Sequence, residues 1–160
     1  MLKDPEIDLV LCLTPTCVHY DIIRQALIAG KHVYTEKTMT DDPSTAHELA
    51  ALAREKGLYL SSAPDTFLGA SLQTARQAID SGMIGQITSF SAAATRCNDH
   101  MLSFYSFLRM PGGGVLYDYA VYYLTALVSL LGPVEQVASI VRAPWLKHIN
   151  RDPNSPLYGQ

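Results

Sequence analysis

The sequence is poor in cysteine, tryptophan and charge, and each shortage excludes something. Its three cysteines, Cys12, Cys17 and Cys97, are odd in number, widely spaced and without a second metal-type pair. Neither a disulfide scaffold nor a paired-cysteine zinc module is expected from them. Cys12 falls inside an apolar run and reads as a reduced, buried thiol, which points to a cytoplasmic compartment. Cys17 followed by His19 is a weak metal signal, and His19, His32, His47, His100 and His148 show no ligand spacing. That argues against a metal-dependent hydrolase, and no metal is expected. A net charge of −3 gives no reason to expect nucleic acid or an anionic membrane surface as a partner. No apolar run approaches the roughly 18 residues of a membrane span, and the N-terminus lacks a signal peptide's charged-then-apolar layout. Small-molecule or protein partners remain.

What is present is apolar material. Of the 160 residues 48% are hydrophobic, enough for the core of one ordinary domain, or for one complete unit with part of another. Residues 7–13 form a nearly continuous apolar run ending at Thr14-Pro15, the pattern of a parallel strand covered on both faces. Val18, Ile22, Ile23, Ala26, Leu27 and Ala29 recur at helical spacing and stop at Gly30, so a helix is expected over about 17–29. A strand over 32–35, a helix opened by Pro43 and closed at Lys56-Gly57, and a strand over 58–60 follow. Strand, helix, strand, helix, strand with short links means two consecutive βαβ crossovers and a parallel sheet.

Beyond Ser61-Ser62-Ala63-Pro64 the pattern changes. A helix is expected over 68–81, a longer strand over 87–95 and an irregular aromatic-rich stretch over 97–110. Gly112-Gly113-Gly114 makes a flexible or tightly turned entry to an apolar helix over about 115–131, ended by Gly132-Pro133. A strand over 134–141 is expected next, and 143–160 reads as a loop or a frayed tail.

The chemistry concentrates at Glu36-Lys37. These residues fall at the carboxyl end of the 32–35 strand, where open α/β sheets place ligands. A lysine there can shuttle a proton if burial or a neighbouring cation tunes it. A solvated Glu-Lys pair in a loop is the bland alternative.

Four motifs in order carry a resemblance: Thr14-Pro15 after one strand, Glu36-Lys37 after the next, Ile79-Asp80-Ser81-Gly82-Met83-Ile84-Gly85 ending a helix, and Gly112-Gly113-Gly114 leading to Asp118. Over about residues 4–142 the chain resembles the Gfo/Idh/MocA family, the glucose-fructose oxidoreductase and inositol dehydrogenase type of NAD(P)-dependent sugar dehydrogenase. The resemblance implies an α/β fold: the C-terminal half of a Rossmann-type parallel sheet, then the start of an α/β domain with an open, mostly antiparallel sheet. The implied boundaries are 1–64 for the partial NAD(P)-binding domain, 65–142 for the partial substrate and oligomerisation domain, and 143–160 for the tail. The family's nucleotide-binding glycine loop has no counterpart here, since no Gly-x-Gly-x-x-Gly occurs. The first βαβ half and the later strands of the second domain are therefore expected to lie outside these 160 residues.

Carried over by position, Thr14 and Pro15 match the loop under the nicotinamide ribose, and His19 matches a histidine of that loop. By itself His19, a lone histidine at a helix start, is more often a surface or capping residue. Glu36 matches the acid near the ribose and Lys37 the catalytic lysine, both counted as NAD or NADP contacts. Thr38 stands where the family's Glu-Lys-Pro has proline, which is expected to loosen the backbone that fixes the two charges. Asp118 matches the aspartate of an Asp-x-x-x-His element on a helix, but Tyr122 stands at the histidine position. Residues i and i+4 share a helical face, so Asp118 and Tyr122 can serve one substrate. Tyr122 then either assists Lys37 in proton transfer or packs with its hydroxyl on backbone. Asp65, Arg96, Asn98 and His100 fall where the family lines its substrate pocket. Their alternatives are a turn residue for Asp65, loop solvation for Asn98 and His100, and solvent exposure or anion binding for Arg96.

The expected function is hydride transfer between nicotinamide and a sugar-like or cyclitol secondary alcohol, with Lys37 as main acid/base, Asp118 orienting the hydroxyl and Tyr122 assisting. A homo-oligomer through the second-domain sheet is implied by the same resemblance. The competing class is a non-catalytic fragment or interaction module lacking the glycine-rich nucleotide loop.

Overall fold

A computed structural model describes residues 1–95, 101, 104–110, 112–142 and 149–159. Arg96, Asn98 and His100, three of the expected substrate contacts, lie outside the described residues, as do Cys97 and His148. The element order is β1 (Leu9–Cys12), α1 (His19–Ile28), β2 (His32–Thr35), α2 (Pro43–Glu55), β3 (Leu60–Ser62), α3 (Ala70–Asp80) and α4 (Val121–Leu131). The three strands form one parallel sheet in the order β1-β2-β3. Val10 pairs with Val33 and Val33 with Leu60, so the expected crossovers are both present.

Local chemistry sets the element boundaries. Val18 N–H donates to Pro15 O at 3.1 Å, so Thr16–Val18 is a 3-10 turn and α1 starts only at His19, later than the periodicity predicts. Asp42 caps α2 by accepting from Ser44 N at 2.7 Å, with Pro43 in the first turn. At the other end Leu58 N–H donates to Ala53 O at 2.8 Å. Leu58 is thereby engaged by the helix terminus, and β3 begins at Leu60, two residues later than expected. Asp65–Leu68 is a 3-10 turn, and extended Gly69 separates it from α3, which is why the helix expected over 68–81 is shortened.

The core lies between the sheet and the α1-α2 pair. Val10, Ile23, Ala26, Leu27, Val33, Leu49 and Ala53 form one buried cluster. Ile23, Leu27 and Leu49 are fully enclosed, and each contributes about 1.5–3 kcal/mol by leaving water. β1 was expected to be covered on both faces, but only Val10 and Cys12 are buried; Leu9 and Leu11 on the other face are 50% and 60% exposed. A continuous apolar run cannot tell a two-sided strand from one whose second face is left open.

Two expected strands do not form. Residues 87–95 and 134–141 pair with no neighbour among the described residues, and apart from half-buried Ile87 their side chains stand in solvent, Val137 and Ile140 almost entirely so. Alternation specifies which side chains share a face, but a strand also needs a partner for its N–H and C=O groups. The stretch 149–159 is a loop closed by Gly159 N–H donating to Asn150 O at 2.8 Å. No helix among the described residues is long and apolar enough to cross a membrane.

Candidate active site

The carboxyl ends of β1 and β2 open into a pocket of about 260 Å³ lined by Leu13, Thr14, Pro15, Thr16, Glu36, Lys37, Thr38, Phe107, Leu108, Gly112 and Asp118. The sheet presents Thr14-Pro15 and Glu36-Lys37 side by side because Cys12 pairs with Thr35 across β1 and β2. Glu36 N–H donates to Cys12 O at 2.8 Å, and the Glu36 carboxylate accepts from Lys37 N at 3.0 Å. The turn that carries Lys37 is thus fixed from both sides. The peptide bond joining Lys37 to Thr38 is cis.

Opposite the strand ends stands Asp118, on a π-helical turn (Leu116–Ala120) that runs into α4. π-Helical turns inside helices recur at functional sites, where they re-aim side chains. Lys37 Nζ donates to Asp118 O at 2.8 Å and forms an ion pair with the Asp118 carboxylate. Their side chains are 15% and 22% exposed, so the pair is well shielded yet open to the pocket. Lys37 Nζ also lies 5.4 Å from the centroid of the Tyr122 ring. The ammonium therefore meets the face of Tyr122, a cation–π arrangement.

His19 is completely buried. Nδ1 sits 2.8 Å from Thr38 O and Nε2 2.7 Å from Thr14 O, so both ring nitrogens are engaged by backbone carbonyls. The surface or capping alternative is overturned, and His19, expected among the cofactor contacts, does not line the pocket: α1 begins beneath the two loops, and His19 ties them together from below. Asp65 is exposed at the start of its 3-10 turn and is not among the residues lining the pocket.

Sequence reasoning missed the far wall. Phe107 and Leu108 come from the stretch read only as irregular and aromatic-rich, and Leu108 is 3% exposed. The signal that could have found them was the glycine run. A Cβ on Gly112 would stand 2.9 Å from Asp41 Cβ and 3.4 Å from Thr16 Cγ2, so this turn packs directly on the loops after β1 and β2. Thr38 was expected to loosen the Lys37 turn, yet its hydroxyl donates to Tyr117 O at 2.7 Å and its carbonyl faces His19. Among the described residues no three His, Cys, Asp or Glu side chains gather into a metal-ligating group.

The parallel sheet with α1 and α2 as its crossovers is Rossmann-type α/β architecture, and sequence comparison gives its class, the NAD-binding oxidoreductases. Residues 1–63 match the model of the oxidoreductase family with an NAD-binding Rossmann fold, and residues 72–152 match the GFO/IDH/MocA C-terminal domain. The chain belongs to the Gfo/Idh/MocA oxidoreductase family.

It is 31% identical over 139 residues to an uncharacterised oxidoreductase of Schizosaccharomyces pombe, covering 87% of this chain and 38% of that protein. It is 35% identical over 146 residues to the dTDP-3,4-didehydro-2,6-dideoxy-alpha-D-glucose 3-reductase of Actinomadura kijaniata, covering 89% and 43%. With the scyllo-inositol 2-dehydrogenase (NADP(+)) IolW of Bacillus subtilis it shares 28% identity over 141 residues, covering 88% and 39%. Among solved structures, an NAD binding oxidoreductase from Klebsiella pneumoniae superposes with a TM-score of 0.69 at 28% identity, over 82% of this chain and 36% of that one. The chain spans about two fifths of the length of the curated relatives it matches.

Proposed function

We propose that these residues form the proton-transfer end of an NAD(P)-dependent dehydrogenase acting on a sugar-like or cyclitol secondary alcohol. The observation that carries the reading is the Lys37–Asp118 pair at the mouth of the pocket on the sheet's carboxyl edge. Relatives named for a dTDP-sugar ketone and for scyllo-inositol support the substrate class.

The lining suits the nicotinamide end of the cofactor. Thr14 and Glu36 supply a hydroxyl and a carboxylate to a ribose, and about 260 Å³ admits one ring system, not a whole dinucleotide. When bound, the nicotinamide supplies or accepts the hydride. Lys37, ion-paired here as an ammonium, can give a proton to a substrate carbonyl oxygen; as an amine it takes the alcohol proton in the reverse direction. Asp118 holds the Lys37 amine toward the pocket and accepts from a substrate hydroxyl. Tyr122 backs Lys37 with its ring face. Phe107 and Leu108 give the pocket an apolar wall that excludes water.

In the full-length protein, Lys37→Met lowers kcat by about 10²–10⁴, the usual worth of a positioned acid/base. Normal turnover in that variant would refute the reading. A second reading, an interaction module, draws on the exposed apolar side chains of 134–141, which also support self-association. Calorimetric titration of the 160-residue chain with NADH and NADPH separates the two: saturable binding defeats the module.

A further inference from the structure

We propose that Thr38 is a positioning residue for the Lys37–Asp118 pair, acting through its side-chain hydroxyl. Lys37 reaches Asp118 across the pocket, and the next residue makes a parallel connection: Thr38 Oγ1 donates to Tyr117 O at 2.7 Å. Consecutive residues of the β2 turn thus hold consecutive residues of the π-helical turn. One link is ionic and exposed to whatever enters the pocket. The other is a neutral hydrogen bond to backbone, which keeps its partner while substrate competes for the Asp118 carboxylate.

Thr38 can serve as a joint because its own backbone is pinned. Its carbonyl lies 2.8 Å from His19 Nδ1, while His19 Nε2 lies 2.7 Å from Thr14 O. Both partners are carbonyl oxygens, which only accept, so each bond to them is donated by a ring N–H of His19. A line of polar contacts therefore runs from the Thr14 loop through His19 and Thr38 to Tyr117. Thr38 also lies on the boundary between two cavities. It lines the polar pocket and a larger, apolar cavity of about 640 Å³ formed with Phe67, Leu116, Tyr117, Val121 and Leu124. Without the hydroxyl tether no side chain of Thr38 fixes the spacing between the turn that carries Lys37 and the π-helical turn that carries Asp118. Proline, the residue of the Glu-Lys-Pro pattern, has no hydroxyl and cannot make this bond.

The functional meaning of this tether rests on Lys37 as the proton-transfer group, but its test does not. Acylation of Lys37 by an activated acetate ester in the 160-residue chain is followed by peptide mass spectrometry, with exposed Lys56 as internal standard. An ion-paired ammonium is protected, so Thr38→Val raises the Lys37 rate about fivefold, the factor equivalent to one ordinary hydrogen bond, with Lys56 unchanged. Thr38→Ser, which keeps the hydroxyl, restores the parental rate. In an Asp118→Asn background the Val substitution adds less than about twofold, because the pair through which Thr38 acts is already weakened. A Lys37 rate unchanged in Thr38→Val, an equal rise at Lys56, or full additivity with Asp118→Asn overturns the proposal. If Thr38→Val fails to fold, Thr38→Ala takes its place; if both fail, Thr38→Ser decides, since a raised Lys37 rate with the hydroxyl present overturns the assignment. No turnover is needed, so failure of the dehydrogenase reading and failure of this one are told apart.

Discussion

Gly113→Ala perturbs the wall of the pocket at the strand ends in a way the geometry quantifies. A Cβ at Gly113 would collide first with the carbonyl oxygen of Leu108 and would stand 2.6 Å from its carbonyl carbon and 2.7 Å from its Cα. All three are backbone atoms, so no side chain can rotate away, and each gap must open to the 3.4 Å at which ordinary contact begins. Leu108, 3% exposed, has to leave its seat beside the pocket. Overpacking of this kind costs about 1–3 kcal/mol, which lowers the melting temperature by roughly 2–12 °C in a chain of this size. Gly114→Ala is the matched control. Its φ of +81° penalises any side chain, but its Cβ meets nothing within 4 Å. Thermal unfolding by circular dichroism gives the stability of both variants, and methyl NMR of Leu108 reports the wall. The expected result is a displaced Leu108 signal in Gly113→Ala alone. An unmoved Leu108 signal, or a melting temperature within about 1 °C of the parent, would refute the steric reasoning.

Two further outcomes follow from single groups. The Thr35 hydroxyl is fully buried with no partner among the described residues, so Thr35→Val removes an unpaired polar group at nearly constant shape. A gain of about 1 kcal/mol, or roughly 2–4 °C in melting temperature, is expected, and a loss would show that the hydroxyl is bonded after all. Asp42 at the start of α2 is held below its ordinary 3.8, first by the Ser44 hydroxyl and then by the Ser44 N–H, with a small opposing effect of desolvation. A folded value below the unfolded one means the cap's contribution is complete above about pH 3.8 and is lost as pH falls through the lower folded value. Asp42→Asn abolishes that part of the acid-induced loss of helical signal; an identical acid transition in the variant contradicts it.

What could be read from the sequence was local. Gly30, Pro43 and Gly57 marked helix ends, and the apolar spacing around Ile23 and Leu49 found the core face. Thr14, Pro15, Glu36, Lys37 and Asp118 were all placed by motif order, and they meet in one pocket. What stayed hidden depends on a distant partner. The 134–141 stretch has the alternation of a strand but no neighbour to bond. His19 looks like any polar residue at a helix start until two carbonyls from separate loops converge on its ring. Thr38 reads as a missing proline, because a hydroxyl's partner at Tyr117 leaves no trace in local pattern.

The pairing of Lys37 with Asp118 has a consequence in time. Its members are 81 residues apart in the chain, and such distant closures come late in folding because their loop entropy must be met before they contribute anything. The β1-β2-β3 unit can form from its own neighbours, but a chain still emerging from the ribosome, or one with its second half frayed, presents Lys37 without its carboxylate. The Lys37–Asp118 pair is therefore completed in the final stage of folding, and incompletely folded molecules present Lys37 unshielded.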